Sequence, residues 1–242
     1  LLRSVDKIVF ISKWVKKKFF ENLEIDNDSK TEIIYHSVNK LNKFNYKKKK
    51  HIIFVGKLNK SKGYDIFCTS IKNILNKKHD WLAYSYGDER RLQKFETHPR
   101  HKNIGQVSHS KVLKIFEQSE IAVIPSRWEE PFGRTALEAS SRGCATIISN
   151  RGGLTETTDS ALVLNKTNPK ILSKKLNELI NNKNLRRKLQ INGFKNVKHN
   201  IVENSKKIDD MRSSLFPFSF FNTNDGKVRI LNIYNLAQKL NH

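Results

Sequence analysis

Acidic residues are scarce in this chain. Its 242 residues hold 23 Asp and Glu against 46 Lys and Arg, a formal charge of +23. Such a balance points first to nucleic acid or to an anionic membrane surface. The lysines, however, are spread along the chain among abundant Asn and Ile, a pattern that AT-rich coding sequence produces. No aromatic–basic alternation of the RNA-binding kind is present. Nucleic acid is therefore not an expected partner, whereas peripheral contact with an anionic bilayer is. Cysteine is nearly absent. Cys68 and Cys144 lie in apolar surroundings without metal-ligand spacing, as small core residues of a reducing, cytoplasmic protein do. No apolar run approaches the ~18 residues of a membrane span. A signal-peptide pattern and an initiator Met are also lacking. Leu1 to Asp6 read as mid-domain sequence, so a piece of a longer protein is expected.

What the chain does have is a steady alternation of short apolar runs and helical periodicities. Residues 7–11 and 31–35 read as strands on either side of a helix capped by Ser12, with Val15, Phe19 and Leu23 at helical spacing. The lysine run 47–50 reads as a solvated linker. Residues 52–55 form an unbroken apolar strand, as expected when both faces are buried. Further strands follow at 81–86, 104–107, 121–124, 145–148 and 161–164. Between them fall a helix carrying Ile66, Phe67, Ile71, Ile74 and Leu75, one from about Glu89 to Phe95, one capped by Ser108, and one from Gly133 to about Ser141, closed by Gly143. Asn168-Pro169 opens another, and a last one runs from about Asn184 into the 200s. Six alternations predict an α/β fold, a doubly wound parallel sheet that binds ligands at the carboxyl ends of its strands. Residues 1–45 read as the tail of a preceding domain, 46–182 as the Rossmann-like body and 183–212 as C-terminal helices. Residues 213–242 read as a tail whose aromatic segment 215–221 and strand 227–235 start something further.

The stretch Pro125 to Ala139, PSRWEEPFGRTALEA, is the most informative. Two carboxylates, Glu130 and Glu138, flank a Phe132-Gly133 turn that opens a helix directly after a strand. A helix N-terminus presents unpaired N–H groups and partial positive charge, for which phosphate is the natural ligand. Carboxylates beside it can accept from hydroxyls. A ligand with sugar hydroxyls, a diphosphate and a ribose fits, and a nucleotide-sugar is one.

This string resembles the donor site of retaining glycosyltransferases with the GT-B fold, in particular family 4, whose pattern P-S-x-x-E-x-F-G-x-x-x-x-E is matched at Pro125, Ser126, Glu130, Phe132, Gly133 and Glu138. The loop Gly56-Lys57-Leu58-x3-Lys62-Gly63 is similar to the family's G-R-L-x-x-x-K-G, with Lys57 in place of Arg, a point charge without the bidentate fork. Ser149-x-x-Gly152-Gly153-x-x-Glu156 is similar to a segment that closes the nucleotide pocket. His36-Ser37-Val38-Asn39 stands where the family has its interdomain hinge, and Gly87-Asp88 resembles the start of a turn near the base. The resemblance implies catalytic roles for Glu130, Lys62 and Lys57: Glu130 at the transferred sugar, the two lysines at the diphosphate. It implies that Glu138 meets the ribose. Phe132 and the N–H groups of Gly133, Arg134 and Thr135 would complete the donor site with Gly56, Gly152 and Gly153.

No cofactor or metal is expected, because lysines and a helix terminus would meet the phosphate charge. The implied partners are a nucleotide-sugar donor, an envelope glycan or lipid-linked acceptor, and an N-terminal domain that this chain supplies only in part. Two rivals stay open: a sugar-nucleotide epimerase or phosphorylase of the same fold, and a truncated, non-catalytic nucleotide-binding fragment.

Overall fold

The computed structural model describes residues 5–21, 23, 30–89, 95–199 and 201–215. They fall in two units. The larger is Lys7–Asn204. The other joins Leu1–Asp6 with Ser205–His242, and its described part is residues 5–6 and most of the helix Ile201–Leu215.

The larger unit opens with Ile8–Phe10 (β1), Lys13–Phe20 (α1) and Thr31–Ile33 (β2), the two strands pairing in parallel. Ser12 caps α1 by accepting from the Val15 N–H at 3.0 Å. The helix stops at Phe20, so Leu23 lies beyond its apolar stripe. Phe10, Phe19 and Phe20 pack ring against ring instead, with centroids 5.1 to 5.8 Å apart.

Six parallel strands follow: Lys49–Val55 (β3), Leu82–Tyr86 (β4), His101–Gly105 (β5), Ser119–Ile124 (β6), Ala145–Ser149 (β7) and Ala161–Leu164 (β8). Their spatial order is β5-β4-β3-β6-β7-β8. The chain therefore winds outward from β3 to one edge, returns beside β3 as β6, and winds outward to the other edge. That is the expected doubly wound sheet, with its switch point between β3 and β6. Every residue of β6 and β7 is buried, which explains why these strands read as unbroken apolar runs.

Strand alternation divides the core. Ile52, Phe54, Ile121, Val123 and Ile147 face Tyr64–Leu75 (α2) and Pro169–Asn181 (α5) through Ile66, Phe67, Ile71, Leu172 and Leu176. Ile53, Ala122 and Ile148 face His109–Gln118 (α3) and Arg134–Ser141 (α4) through Phe116, Ala136 and Ala139. Each fully buried Ile or Phe contributes about 1.5–3 kcal/mol, so both faces are needed to hold the sheet.

Three expectations are corrected. The strand expected at 104–107 is β5, His101–Gly105. It is an edge strand whose Ile104 is exposed, and Gly105, at φ +79°, ends it. Lysines 47–50 are not a solvated linker. Lys49 and Lys50 begin β3, and the Lys48 ammonium donates to the carbonyls of Phe116, Glu117 and Arg142, at the C-termini of α3 and α4. The long helix expected from Asn184 is broken. Lys183–Lys195 (α6) ends at Asn196 before the helix Ile201–Leu215. Gly193 lets α6 approach α4 closely, since a Cβ there would meet Ser140 Oγ at 2.4 Å. Most of the helix expected at 89–95 and nearly all of the tail from 213 lie outside the described residues. Among the described residues no helix is long and apolar enough to cross a membrane.

Candidate functional site

A cavity of about 280 Å³ opens at the switch point. Its wall is made by Phe54, Val55 and Gly56 at the end of β3, by Lys62, by Ile124, Ser126 and residues 130–132 after β6, by Gly133, Arg134 and Thr135 at the start of α4, and by Ile11 and His36 from the opening strand–helix–strand.

The two loops that meet here are stapled together. The buried Asn59 Oδ1 accepts from Ser61 Oγ at 2.8 Å and from the Lys62 N–H at 3.0 Å, which shapes the turn before α2. The Arg127 and Trp128 N–H groups both donate to Ser61 O, at 2.8 and 3.0 Å. The Arg127 guanidinium grips Asp65 with two bonds, at 2.5 and 2.8 Å. Gly63 caps α2 at φ +73° against Pro125. A Cβ there would lie 2.0 Å from Pro125 O, so only glycine lets the loops close. This stapling brings Lys62 Nζ to Glu130 Oε1 at 2.7 Å, across 68 residues of sequence. The pair is one-third exposed at the lysine and mostly buried at the carboxylate.

Glu138 stands on α4, behind the cavity wall. Its carboxylate is buried, and Oε1 accepts from His109 Nε2 at 3.0 Å and from Arg134 at 3.4 Å. Gly133 precedes α4 in the left-handed region, φ +97°. The first N–H groups of α4 have no intrahelical partner and point toward the cavity side of its N-terminus. Burial, and then the Arg134 guanidinium, hold His36 below the ordinary histidine range.

The structure brings Gly56, Lys62, Glu130, Phe132, Gly133, Arg134 and Thr135 to one cavity. Lys57 is exposed and stands outside the lining. The Phe132 ring is fully buried among Tyr35, His36 and His199, with centroids at 5.6, 5.8 and 5.4 Å. Gly152 and Gly153 lie under Glu130. The Gly153 N–H donates to Glu130 O at 2.7 Å, and a Cβ on Gly152, at φ +58°, would come within 2.2 Å of the same oxygen. Gly56 and Gly87 press together at the ends of β3 and β4, where a Cβ on Gly87 would meet Gly56 O at 1.9 Å. Glu156 is turned away from the cavity. It accepts from the Lys13 and Trp14 N–H groups and from Tyr35 Oη, each at 2.9 Å, and so caps α1. Sequence reasoning assigned no role at the site to Ile11, His36 or His109. Only the His36-Ser37-Val38-Asn39 string carried a signal, as a hinge. Among the described residues no group of three His, Cys, Asp or Glu side chains could hold a metal ion, and the string Asp26-Asn27-Asp28 lies outside them.

The fold and this site define a doubly wound domain of the GT-B kind. The family model described as Glycosyl transferases group 1 matches residues 38–196, and the chain belongs to that family. It is 32% identical over 197 residues to an uncharacterized glycosyltransferase of Methanocaldococcus jannaschii, covering 78% of this chain and 53% of that protein. Among solved structures, a glycosyltransferase of Rickettsia africae superposes with a TM-score of 0.76 at 20% identity, over 88% of this chain and 64% of that one. Anabaena HepE, in complex with UDP and glucose, gives 0.73 at 15% identity, over 88% and 64%. The chain spans about half the length of the curated relatives it matches.

Proposed function

We propose that this chain is the C-terminal, donor-binding half of a retaining, metal-independent glycosyltransferase of family 4. It would take a nucleoside-diphosphate sugar and serve an envelope glycan or lipid-linked acceptor. The observation that carries this reading is the Lys62–Glu130 pair, 2.7 Å apart at a cavity that the α4 N-terminus also enters. A cation, a carboxylate and free helix N–H groups are what a diphosphate next to a sugar requires. Lys62, with Lys57 from the same loop, would hold the diphosphate. Glu130 would accept from hydroxyls of the transferred sugar, and Glu138, through its second oxygen, from the ribose. As the bond from the anomeric carbon to the diphosphate breaks, charge grows on the leaving oxygen. Lys62, Arg134 and the α4 amides would stabilise it with little reorganisation. HepE, whose fold is shared, binds UDP and glucose, which supports the ligand class. The acceptor and the rest of the cleft would come from an N-terminal domain.

Calorimetric titration with UDP, GDP and ADP in EDTA tests the reading, and at least one is expected to bind. No heat with any of them would overturn it. Glu138→Ala is expected to weaken that binding by about tenfold, the loss of one hydrogen bond to a charged group. Glu130→Ala should leave free nucleotide binding nearly intact and lower sugar transfer by the enzyme completed with its N-terminal domain. Equal effects of the two on plain nucleotide would contradict the assigned roles.

A further inference from the structure

His36 belongs to a string that the donor-site reading leaves without a task. Its neighbours are pinned on every side. The Tyr35 ring stacks on His199 at 4.1 Å and 22°, and its hydroxyl donates to Glu156 at 2.9 Å. Tyr35 O accepts from Asn204 Nδ2 at 2.5 Å, and the Val38 N–H donates to His199 O at 3.2 Å. The Ile34 N–H donates to Phe10 O at 2.9 Å. The segment is thus held rigidly, yet His36 keeps part of its surface open to solvent and lines the cavity. Its imidazole makes no hydrogen bond within the described residues. One edge leans on Phe132, at 5.8 Å between centroids. A ring held this way, with both nitrogens open, is preorganised to meet something in the cavity.

The charges around it say what. Arg134, at the start of α4, is the charged group that acts on His36. Lys62 and Glu130 share the cavity but neutralise each other. Glu156 is occupied by the α1 amides and Tyr35, and His199 by Glu156 O at 3.0 Å. In the corner that holds His36, Arg134 and the α4 N–H groups, the carboxylate bonded to Arg134 is Glu138, at 3.4 Å and shared with His109 at 3.0 Å, so the imidazole and the amides stay open to an added anion. We propose that the His36 imidazole is a ligand-contacting residue that hydrogen-bonds the diphosphate of the sugar nucleotide, beside Arg134 and the α4 amides. This rests on the donor-site reading above.

One consequence distinguishes it from a packing role. Burial, and then Arg134, disfavour the imidazolium in the free protein. A diphosphate placed beside His36 and Arg134 adds an attraction for the imidazolium that outweighs the Arg134 repulsion, so binding draws a proton onto His36. Affinity must then rise as pH falls from 8 toward 6. The probe is a sugar nucleotide, tested as UDP-glucose, GDP-mannose and ADP-glucose. Its diphosphate is a diester on both ends and keeps its charge over this range.

The wild-type chain is expected to bind at least one of these with uptake of a fraction of a proton at pH 6, read by calorimetry in two buffers of different ionisation enthalpy. The His36→Asn and His36→Gln variants are expected to lose about tenfold in affinity at pH 6, with the pH slope flattened and the thermal midpoint unchanged. The matching nucleoside, which has no phosphate, should show no difference between wild type and variant. If no sugar nucleotide binds wild type, the donor-site reading itself fails. If wild type binds but takes up no proton, or if the variants keep both affinity and slope, His36 does not contact the diphosphate. His109, 3.0 Å from Glu138, is a second histidine beside the proposed ligand, so uptake that persists in His36→Gln or His36→Asn would overturn the assignment to His36.

Discussion

Replacing Glu156 by Ala separates a structural role from a ligand role at a residue where sequence and structure point different ways. The carboxylate accepts three hydrogen bonds, each 2.9 Å long. They are not equal. The Lys13 amide is exposed, so water takes over its bond at little cost. The Trp14 amide and the Tyr35 hydroxyl are partly buried, and each loses a charged acceptor that contributes about 1–1.5 kcal/mol. The expected cost is about 2–3 kcal/mol, a 30- to 150-fold shift toward unfolding by about 1.4 kcal/mol per decade. Glu156→Gln, which keeps one acceptor oxygen, should cost roughly half.

Urea denaturation measures the sum, and amide exchange at Lys13 and Trp14 locates it. A third readout is the Tyr35 phenol, pushed up to about 12 by burial and then by the hydrogen bond to Glu156. Its folded value lies above its unfolded one. The stability it lends is therefore complete below about pH 10 and is lost as pH rises through the folded value. In Glu156→Ala that alkaline loss should still begin near pH 10 but end at a lower pH and be smaller, while burial keeps the phenol above its ordinary range. If the variant instead keeps its stability and its amide protection but loses sugar-nucleotide affinity, Glu156 acts on the ligand and the capping argument is wrong.

Other perturbations follow from the same contacts. Lys48→Met should destabilise by about 2–3 kcal/mol in urea, because three carbonyls at two helix C-termini lose their cation. Lys47→Met should be neutral, and equal effects would restore the linker reading. Arg186→Met should cost about 3–5 kcal/mol, since it strands the buried Glu120 bonded to Arg186 Nε at 2.9 Å. Adding Glu120→Leu should recover most of that loss, and a double variant no more stable than the single would refute the pairing. His101 is held down to about 4 by burial and then by His98. Its folded value lies below the unfolded one, so its contribution is complete above about pH 6.5 and disappears as pH falls toward 4. About 3 kcal/mol is at stake. His101→Gln should flatten this acid limb of the stability curve, and an unchanged limb would exclude His101 as its source.

The sheet was legible because burial leaves a mark on sequence. β3, β6 and β7 are covered on both faces, so they read as apolar runs with little interruption, and the helices between them keep their stripes. β5 was misplaced because an edge strand is under no such demand. Its buried anchor is a histidine, while Ile104, the residue that looked like a strand, points to water. Lys48 misled for the opposite reason. A lysine among lysines looks solvated, and nothing local announces that two helix ends converge on its ammonium from 68 and 94 residues away.

The candidate site divides along the same line. Its parts sit in loops at strand ends, where the doubly wound topology must gather them, and each carries a local string. Spacing within one string could not reveal that Lys62 reaches Glu130, because that contact depends on glycine at 63 and on Arg127 holding Asp65. Nor could it separate residues that face the cavity from those that shape it. Gly152 and Gly153 support the Glu130 backbone, Phe132 fills a cage of rings, and Glu156 caps a helix that lies 142 residues earlier. The same cage and cap hold Tyr35, and Tyr35 sets the backbone from which His36 enters the cavity. The string around Glu130 and the hinge string are therefore two ends of one construction. A substitution at Glu156 should reach the ligand only by moving His36, which makes Glu156→Ala and His36→Asn a coupled pair. Their combined loss of sugar-nucleotide affinity should fall short of the sum of the two single losses, and strict additivity would show that the hinge and the cavity act independently.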